Sequence, residues 1–383
     1  MTDSNAIAPY QIAIPQHEID ELHDRIARTR WPDDLPEAGW EYGVPVSYAK
    51  KLADYWRTSY DWRGWEAKLN AYPHYVTVID GQTLHFLHIR SPRKGAQPLL
   101  LIHGWPSSVV DFIEMIGPLN DPGSYGGDPS DAFDLVIPSL PGFGFSGPTQ
   151  QRGAASVQNY AAVLAELMSR LGYRAYGVHG GDLGSLVAPE LGRADARHVV
   201  GVHMNGPITI PPWDADPASF PDDEQEVLQQ LANWSEGEGT GYAAIQGDRP
   251  QNIAYGLTDS PVAQLAWIVE HFKGLTDPAK ELPEDAVDLD QMLTNIGIYW
   301  FTRTAGSSAR IYKESADWGA PKESSGVPTG AAVFPGDFTL RSVLEKENNL
   351  TWWTRYDRGG HFAAMEAPDL LTADIQDFFR SIR

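Results

Sequence analysis

The stretch His179-Gly180-Gly181-Asp182-Leu183-Gly184-Ser185 decides how the rest of the chain is read. Tyr176-Gly177-Val178 precede it, and Leu186-Val187-Ala188-Pro189-Glu190-Leu191 follow. The pattern predicts a strand, a sharp turn and a helix. The turn has the form small-x-Asp-x-small, with Gly180 and Gly184 on either side of the acid. A nucleophile elbow has this form, because only small neighbours let strand and helix pass so closely. The better-known elbow carries Ser at its centre. With Asp182 there, the candidate nucleophile is a carboxylate and the covalent intermediate an alkyl ester. The competing reading makes Asp182 an ordinary helix N-cap. On this stretch alone the two readings weigh about the same.

Around the elbow, strands and helices alternate. Tyr75–Ile79 and Leu84–His88 flank Asp80-Gly81, a hairpin signal. Leu99–Ile102 is a short apolar strand leading into His103-Gly104-Trp105-Pro106 and a helix through Phe112 and Met115. Leu135–Ile137 is another strand, followed by Leu140-Pro141-Gly142-Phe143-Gly144-Phe145-Ser146, and Val157–Leu171 reads as a helix. After the elbow, Val199–Met204 is a strand. This rhythm predicts an α/β fold, a mostly parallel sheet with helices on both faces.

The rhythm breaks from 207 to 322, where helices are expected at 228–233, 261–272 and 289–305, with loops at 211–221 and 315–326. Gly330–Phe334 and Leu350–Arg355 resume the strands, and an amphipathic helix over 369–382 closes the chain. Residues 1–72 read as helix and loop, with helices at 16–28 and 46–56. The organisation expected is an N-terminal helical segment (1–72), a core in two parts (73–206 and 323–383) and a helical cap inserted between them (207–322). The aromatics Trp40, Tyr42, Tyr55, Trp56, Tyr60, Trp62 and Trp65 are expected to pack the first segment onto the body, a homodimer contact being the other use for them.

Composition narrows the function. The 383 residues carry a net charge of −22, which repels phosphate backbones and argues against nucleic acid as a partner. No apolar run approaches the length of a membrane span. Met1-Thr2-Asp3-Ser4-Asn5 has neither a basic nor an apolar leader region, so no secretory signal is expected and a cytoplasmic location fits. The absence of Cys removes disulfides, thiolate nucleophiles and Cys-ligated metals. The eleven His form no His-Glu-x-x-His pattern, so no metal is expected.

Three stretches bear on Asp182. His361, in Arg358-Gly359-Gly360-His361, lies between the last strand and the final helix, where the chain order nucleophile, acid, histidine expects the base. Asp337, in Phe334-Pro335-Gly336-Asp337, follows the preceding strand and can fix the tautomer of His361; Glu345 and Glu347 are rivals on a predicted helix. The loop His103-Gly104-Trp105-Pro106 can supply one backbone N–H of an oxyanion hole from Trp105, the other coming from Leu183. Pro106 restricts the backbone of Trp105. No Gly-x-Ser-x-Gly is present, so a serine esterase is a poor reading.

With these motifs in place the chain resembles the α/β-hydrolase epoxide hydrolases of the microsomal-type branch. The likeness runs over nearly the whole chain. It rests on Arg30-Trp31-Pro32, His103-Gly104-Trp105-Pro106, Pro141-Gly142-Phe143-Gly144-Phe145-Ser146, Gly180-Gly181-Asp182 and Arg358-Gly359-Gly360-His361-Phe362. The resemblance implies an epoxide substrate, no cofactor, and two cap tyrosines that donate to the epoxide oxygen. Gly241-Tyr242-Ala243-Ala244-Ile245-Gln246 and Ser307–Glu314 resemble the stretches that carry them, which assigns those roles to Tyr242 and Tyr312. Tyr255 and Tyr299 are then expected only to pack the cap.

His103, Trp105 and Leu183 are expected to line the substrate pocket. Leu183 stands where the branch often has Trp, and Asp337 where it often has Glu. Similar bacterial proteins include enzymes that act on epoxides in enediyne antibiotic pathways, which makes a large, aromatic or polycyclic epoxide one candidate substrate; detoxification is the other role. Two other functions remain open at this point. One is a haloalkane dehalogenase, with Trp105 holding the halide. The other is an inactive binding protein on the same scaffold.

Overall fold

The structure, a computed structural model, describes residues 6–211, 215–236, 238–315 and 322–383. Residues 1–5, where no leader region is expected, and parts of the two expected loops, 212–214 and 316–321, lie outside the described residues.

The strands are β1 (Ala8–Tyr10), β2 (His74–Ile79), β3 (Gln82–Ile89), β4 (Gln97–Ile102), β5 (Phe133–Pro138), β6 (Tyr176–Gly181), β7 (Val199–Asn205), β8 (Pro328–Val333) and β9 (Asn349–Arg355). They form one sheet in the order β1-β2-β3-β5-β4-β6-β7-β8-β9. Pairing is antiparallel from β1 to β5 and parallel from β5 to β9. This is the α/β-hydrolase arrangement. β1 corrects the expectation of helix and loop for the first 72 residues. Three residues at a sheet edge are too few to show an alternating pattern, and the strand exists because Ala8–Tyr10 pair with His74–Val76.

Helices α1 (Gln16–Ala27), α2 (Val46–Thr58) and α3 (Trp62–Asn70) make up the rest of the N-terminal segment. In the core are α4 (Ile116–Asn120), α5 (Val157–Arg170) and α6 (Leu183–Ala194). The inserted helices are α7 (Gln225–Glu236), α8 (Gly241–Asp248), α9 (Pro250–Asp259), α10 (Pro261–Leu275), α11 (Leu289–Thr302), α12 (Ala305–Ser308) and α13 (Arg310–Glu314). The chain ends with α14 (Arg341–Glu347), α15 (Ala363–Glu366) and α16 (Pro368–Ser381). The single helix expected through Phe112 and Met115 is instead a 3-10 turn, Val109–Phe112, followed by α4.

β4 explains how an all-apolar strand serves two faces. Leu100 and Ile102 join the apolar cluster that α5 and α6 cover with Leu164, Leu167, Val187 and Leu191. Leu99 and Leu101 point the other way, into the cluster where α16 supplies Leu371, Ile375, Phe378 and Phe379. Period-two alternation in a strand buried on both sides gives this division. Phe378 and Phe379 are fully buried, each contributing about 2–3 kcal/mol from apolar burial.

Several aromatics of the N-terminal segment have a more specific partner than the body at large, whereas Tyr42 is 75% exposed and does not pack as expected. Tyr55 Oη donates to Asp290 at 2.8 Å, Tyr60 Oη pairs with Thr294 at 2.8 Å, and Trp62 packs on Phe301. Tyr48 hydrogen-bonds Glu284, and Arg25 reaches Asp259 at 3.0 Å. The segment therefore braces the inserted helices, mainly α11, while Trp56 is buried completely.

Sheet order sets where a site can form. β5 and β6 lie on opposite sides of β4, so the chain reverses its winding there. The crevice outside the C-terminal ends of β4 and β6 is the switch point where ligands bind in open α/β sheets. Ile102 pairs with Gly180 across those strands, which brings the loop after β4 beside the turn after β6.

Candidate active site

Asp182 stands between β6 and α6 at φ +53° and ψ −124°, a conformation that costs a non-glycine residue energy and recurs at functional turns. The close approach on either side is steric. A Cβ on Gly180 would lie 2.3 Å from the carbonyl oxygen of Gly184, and one on Gly184 would lie 2.3 Å from that of Ile102. The carboxylate makes no capping hydrogen bond to α6, so the N-cap reading fails.

The carboxylate turns instead to two loops. Oδ1 accepts the backbone N–H of Trp105 at 2.8 Å, and Oδ2 lies 3.0 Å from His361 Nε2. Leu183 begins α6, where the first backbone N–H groups have no partner within the helix; its side chain is buried in the core. Cap helix α11 holds the Trp105 loop through three of its backbone carbonyls. Asn295 Nδ2 donates to Pro106 at 2.6 Å, Tyr299 Oη to Ser107 at 2.6 Å, and Gln291 Nε2 to Val110 at 2.9 Å. Tyr299 thus locks the loop as well as packing the cap. Tyr255 does not pack it, being 70% exposed.

His361 is held by its own backbone, its N–H donating to Leu275 O at 3.0 Å. Asp337 Oδ1 is 3.7 Å from His361 Nδ1, while its Oδ2 accepts the Phe334 N–H at 2.8 Å. Burial pulls the imidazole down, but hydrogen bonds and charge from Asp182 and Asp337 outweigh it and push the group up to about 10. The histidine is therefore a cation between two carboxylates. The rival acids lie on α14, where Glu345 pairs with Arg341 at 2.7 Å.

Above the carboxylate, the ring of Trp105 organises the tyrosines. It stacks on Tyr242 with centroids 5.4 Å apart and planes 8° apart, and meets Tyr312 edge-on at 5.6 Å. The two tyrosine rings are themselves 5.6 Å apart and nearly perpendicular. Burial, then the charge of Asp182, raises the Tyr242 hydroxyl, against a lowering hydrogen bond with Tyr312. Burial followed by the charges of Tyr242 and Asp182 raises Tyr312 as well. Both stay protonated and able to donate.

His103 lines a small space beside Asp182 and His361, not the ring cluster of the tyrosines, and has no ring nitrogen to offer. Nδ1 lies 2.9 Å from Gly104 O, and Nε2 accepts the Leu140 N–H at 3.1 Å; burial brings it down to about 4. Its task here is to join two loops.

Two residues that the sequence reading passed over belong to the site. His271, on α10, packs edge-on against Tyr242 at 4.1 Å and Trp105 at 4.7 Å. Burial takes it down to about 4, so it is a neutral wall. No local pattern marks it. Asp111 is 7% exposed within the apolar run Val109-Val110-Asp111-Phe112. A carboxyl in such a run was the available signal. Among the described residues no cluster of His, Asp and Glu could hold a metal, and no helix is long and apolar enough to cross a membrane.

Fold and site together define an α/β-hydrolase whose elbow carries a carboxylate. The family model described as "Epoxide hydrolase N terminus" matches residues 7–112, and that of the "alpha/beta hydrolase fold" matches 97–241. A Stigmatella aurantiaca (strain DW4/3-1) protein named "Putative epoxide hydrolase" is 42% identical over 384 residues, 98% of this chain and 86% of that one. "Epoxide hydrolase 1" of Sus scrofa is 33% identical, over 98% of this chain and 89% of its own. The solved juvenile hormone epoxide hydrolase of the silkworm Bombyx mori superposes with a TM-score of 0.89 at 29% identity, over 99% of this chain and 95% of that one. The chain belongs to the epoxide hydrolase family.

Proposed function

We propose that this enzyme opens its epoxide in two steps through an ester on Asp182. The observation that carries the reading is the carboxylate itself: unused by the helix, with one oxygen on the Trp105 N–H and the other facing His361.

In the first step Oδ2 attacks a ring carbon while Tyr242 and Tyr312 donate to the epoxide oxygen. One of them delivers the proton that lets a poor alkoxide leave. Esterification cancels the charge of Asp182. His361 then loses the larger of its two carboxylate supports, gives up its proton to the tyrosinate left by ring opening, and becomes a base in the state that needs one. It takes a proton from water, and the resulting hydroxide adds to the Asp182 carbonyl. The oxyanion forms on Oδ1, already at the Trp105 N–H, with Leu183 N–H as second donor. Asp337 stabilises the imidazolium. Collapse breaks the Cγ–Oδ2 bond, the imidazolium returns its proton to the departing oxygen, and a vicinal diol leaves.

The rings of Trp105, Tyr242, Tyr312 and His271 suit an epoxide with an aromatic or other apolar substituent. Halide chemistry is disfavoured because Trp105 Nε1 already donates to Ser308 Oγ at 3.2 Å, leaving no indole N–H for a halide. A filled set of catalytic positions argues against an inactive binding protein.

Single turnover of excess enzyme with styrene oxide in ¹⁸O-water tests the ester. Label is expected in the peptide containing Asp182, and the first diol carries oxygen from that residue. Diol formed with an unlabelled peptide sinks the mechanism. The tyrosines are tested together: Tyr242→Phe with Tyr312→Phe is expected to slow ester formation about 10³-fold, within the range of a lost general acid. Ester formation at the parent rate in that double variant would show that the hydroxyls are not the proton source.

A further inference from the structure

Beside the nucleophile lies a small space of about 20 Å³ whose lining includes neither Trp105 nor either tyrosine. Its walls include Asp111, Ser107, Asn205, Asp182, His361 and Ala364. A volume of this size with polar walls holds one water molecule. Asp111 Oδ1 is buried and has no hydrogen-bond partner among the described residues. The other carboxyl oxygen is occupied, since Ser107 and Ser108 hydrogen-bond the group. A buried acceptor left open costs free energy unless something fills it.

We propose that Asp111 positions the hydrolytic water: the water sits in this cavity with one hydrogen directed to His361 Nε2 and the other to Asp111 Oδ1. The proposal rests on the ester mechanism above. Two acceptors fix both hydrogens, so a lone pair faces the ester carbon of Asp182. His361 takes the first proton, the water oxygen bonds to Cγ, and the electron pair moves to Oδ1. Asp111 neither gains nor loses a covalent bond.

The electrostatics follow the reaction. Burial, with the charge of Asp182 adding to it, raises the Asp111 carboxyl to about 7, against lowering by Ser107, Ser108 and His361. The titratable groups facing it are Asp182 and His361 from the core loops and Tyr299 from α11. Forming the ester removes the charge of Asp182 and, with it, that of His361, so one raising and one lowering influence on Asp111 leave together, and the role rests on the geometry of the two acceptors.

The test separates the two half-reactions by rapid quench and intact-protein mass spectrometry with styrene oxide. Asp111→Asn fills the same space, but its oxygen is drawn to the Ser107 and Ser108 donors and its NH₂ faces the cavity. Ester formation is expected within about twofold of the parent chain, and ester hydrolysis about 30-fold slower, the scale of one charged hydrogen bond. The esterified fraction at steady state rises accordingly. Ala364→Val, which fills the cavity from another wall and leaves the Asp111 carboxyl in place, is expected to give the same selective loss. Equal slowing of both steps in Asp111→Asn marks a structural role and overturns the proposal, as does parent-like hydrolysis in either variant. An absence of ester in the parent chain is a separate outcome, which removes the ester mechanism and this role with it.

Discussion

Asp182→Asn is expected to lower kcat/KM by about 10⁵-fold, which is about 7 kcal/mol of transition-state stabilisation. Asn keeps the shape of the side chain and tolerates the positive φ that the elbow imposes. Its carboxamide oxygen can still accept the Trp105 N–H. What it lacks is a charge to attack with, so no ester forms. The change also removes the nearer anion from His361, and burial then takes the imidazole toward its neutral form. A folded, monodisperse variant with no covalent adduct is therefore the expected result. Catalysis within about tenfold of the parent chain would mean that water attacks the epoxide directly.

His361→Gln is expected to stop the cycle halfway. Asp182 retains its charge and the Trp105 N–H, so the ester forms at a rate within about tenfold of the parent, while its hydrolysis slows about 10³-fold or more. Intact mass should rise by the mass of the epoxide and stay there. Loss of both half-reactions together would show that His361 acts before the ester. The substitution has a second signature in stability. The folded-state group is raised to about 10, above its ordinary 6.5. Its pairing stabilises the fold fully below about 6.5, and that contribution fades as pH rises through about 10. The difference in Tm between the parent and His361→Gln is expected to shrink from pH 6 to pH 10. A constant difference would mean that the imidazole is not held as a cation.

The two halves of the site were unequally legible. Each core residue announces itself through local geometry. Asp182 sits between glycines because strand and helix cross at 2.3 Å from any added Cβ; His361 and Asp337 each follow a strand in glycine-rich turns. The cap tyrosines had no such mark. Tyr242 and Tyr312 were reachable only through resemblance, since the periodicity of a helix does not say which tyrosine turns inward. Tyr255, on the next helix, is exposed, and Tyr299 spends its hydroxyl on Ser107. Asp111 carried a faint signal, a carboxyl in an apolar run, whereas His271 carried none.

By itself the sequence determined the alternation of strand and helix and the sharp turn that carries Asp182. These are set by residue type and spacing along a few neighbouring positions: apolar period, glycine and proline. Only the tertiary structure decided that β1 closes the sheet edge and that the N-terminal aromatics brace the inserted helices. It also decided that Trp105 serves twice, its backbone N–H on the carboxylate and its ring against both tyrosines. The same holds for Asp111, brought to line one small space with Asp182 and His361. Those arrangements join residues from about seventy to more than two hundred positions apart. The energy that selects them is burial and hydrogen bonding between distant segments, which no local pattern records.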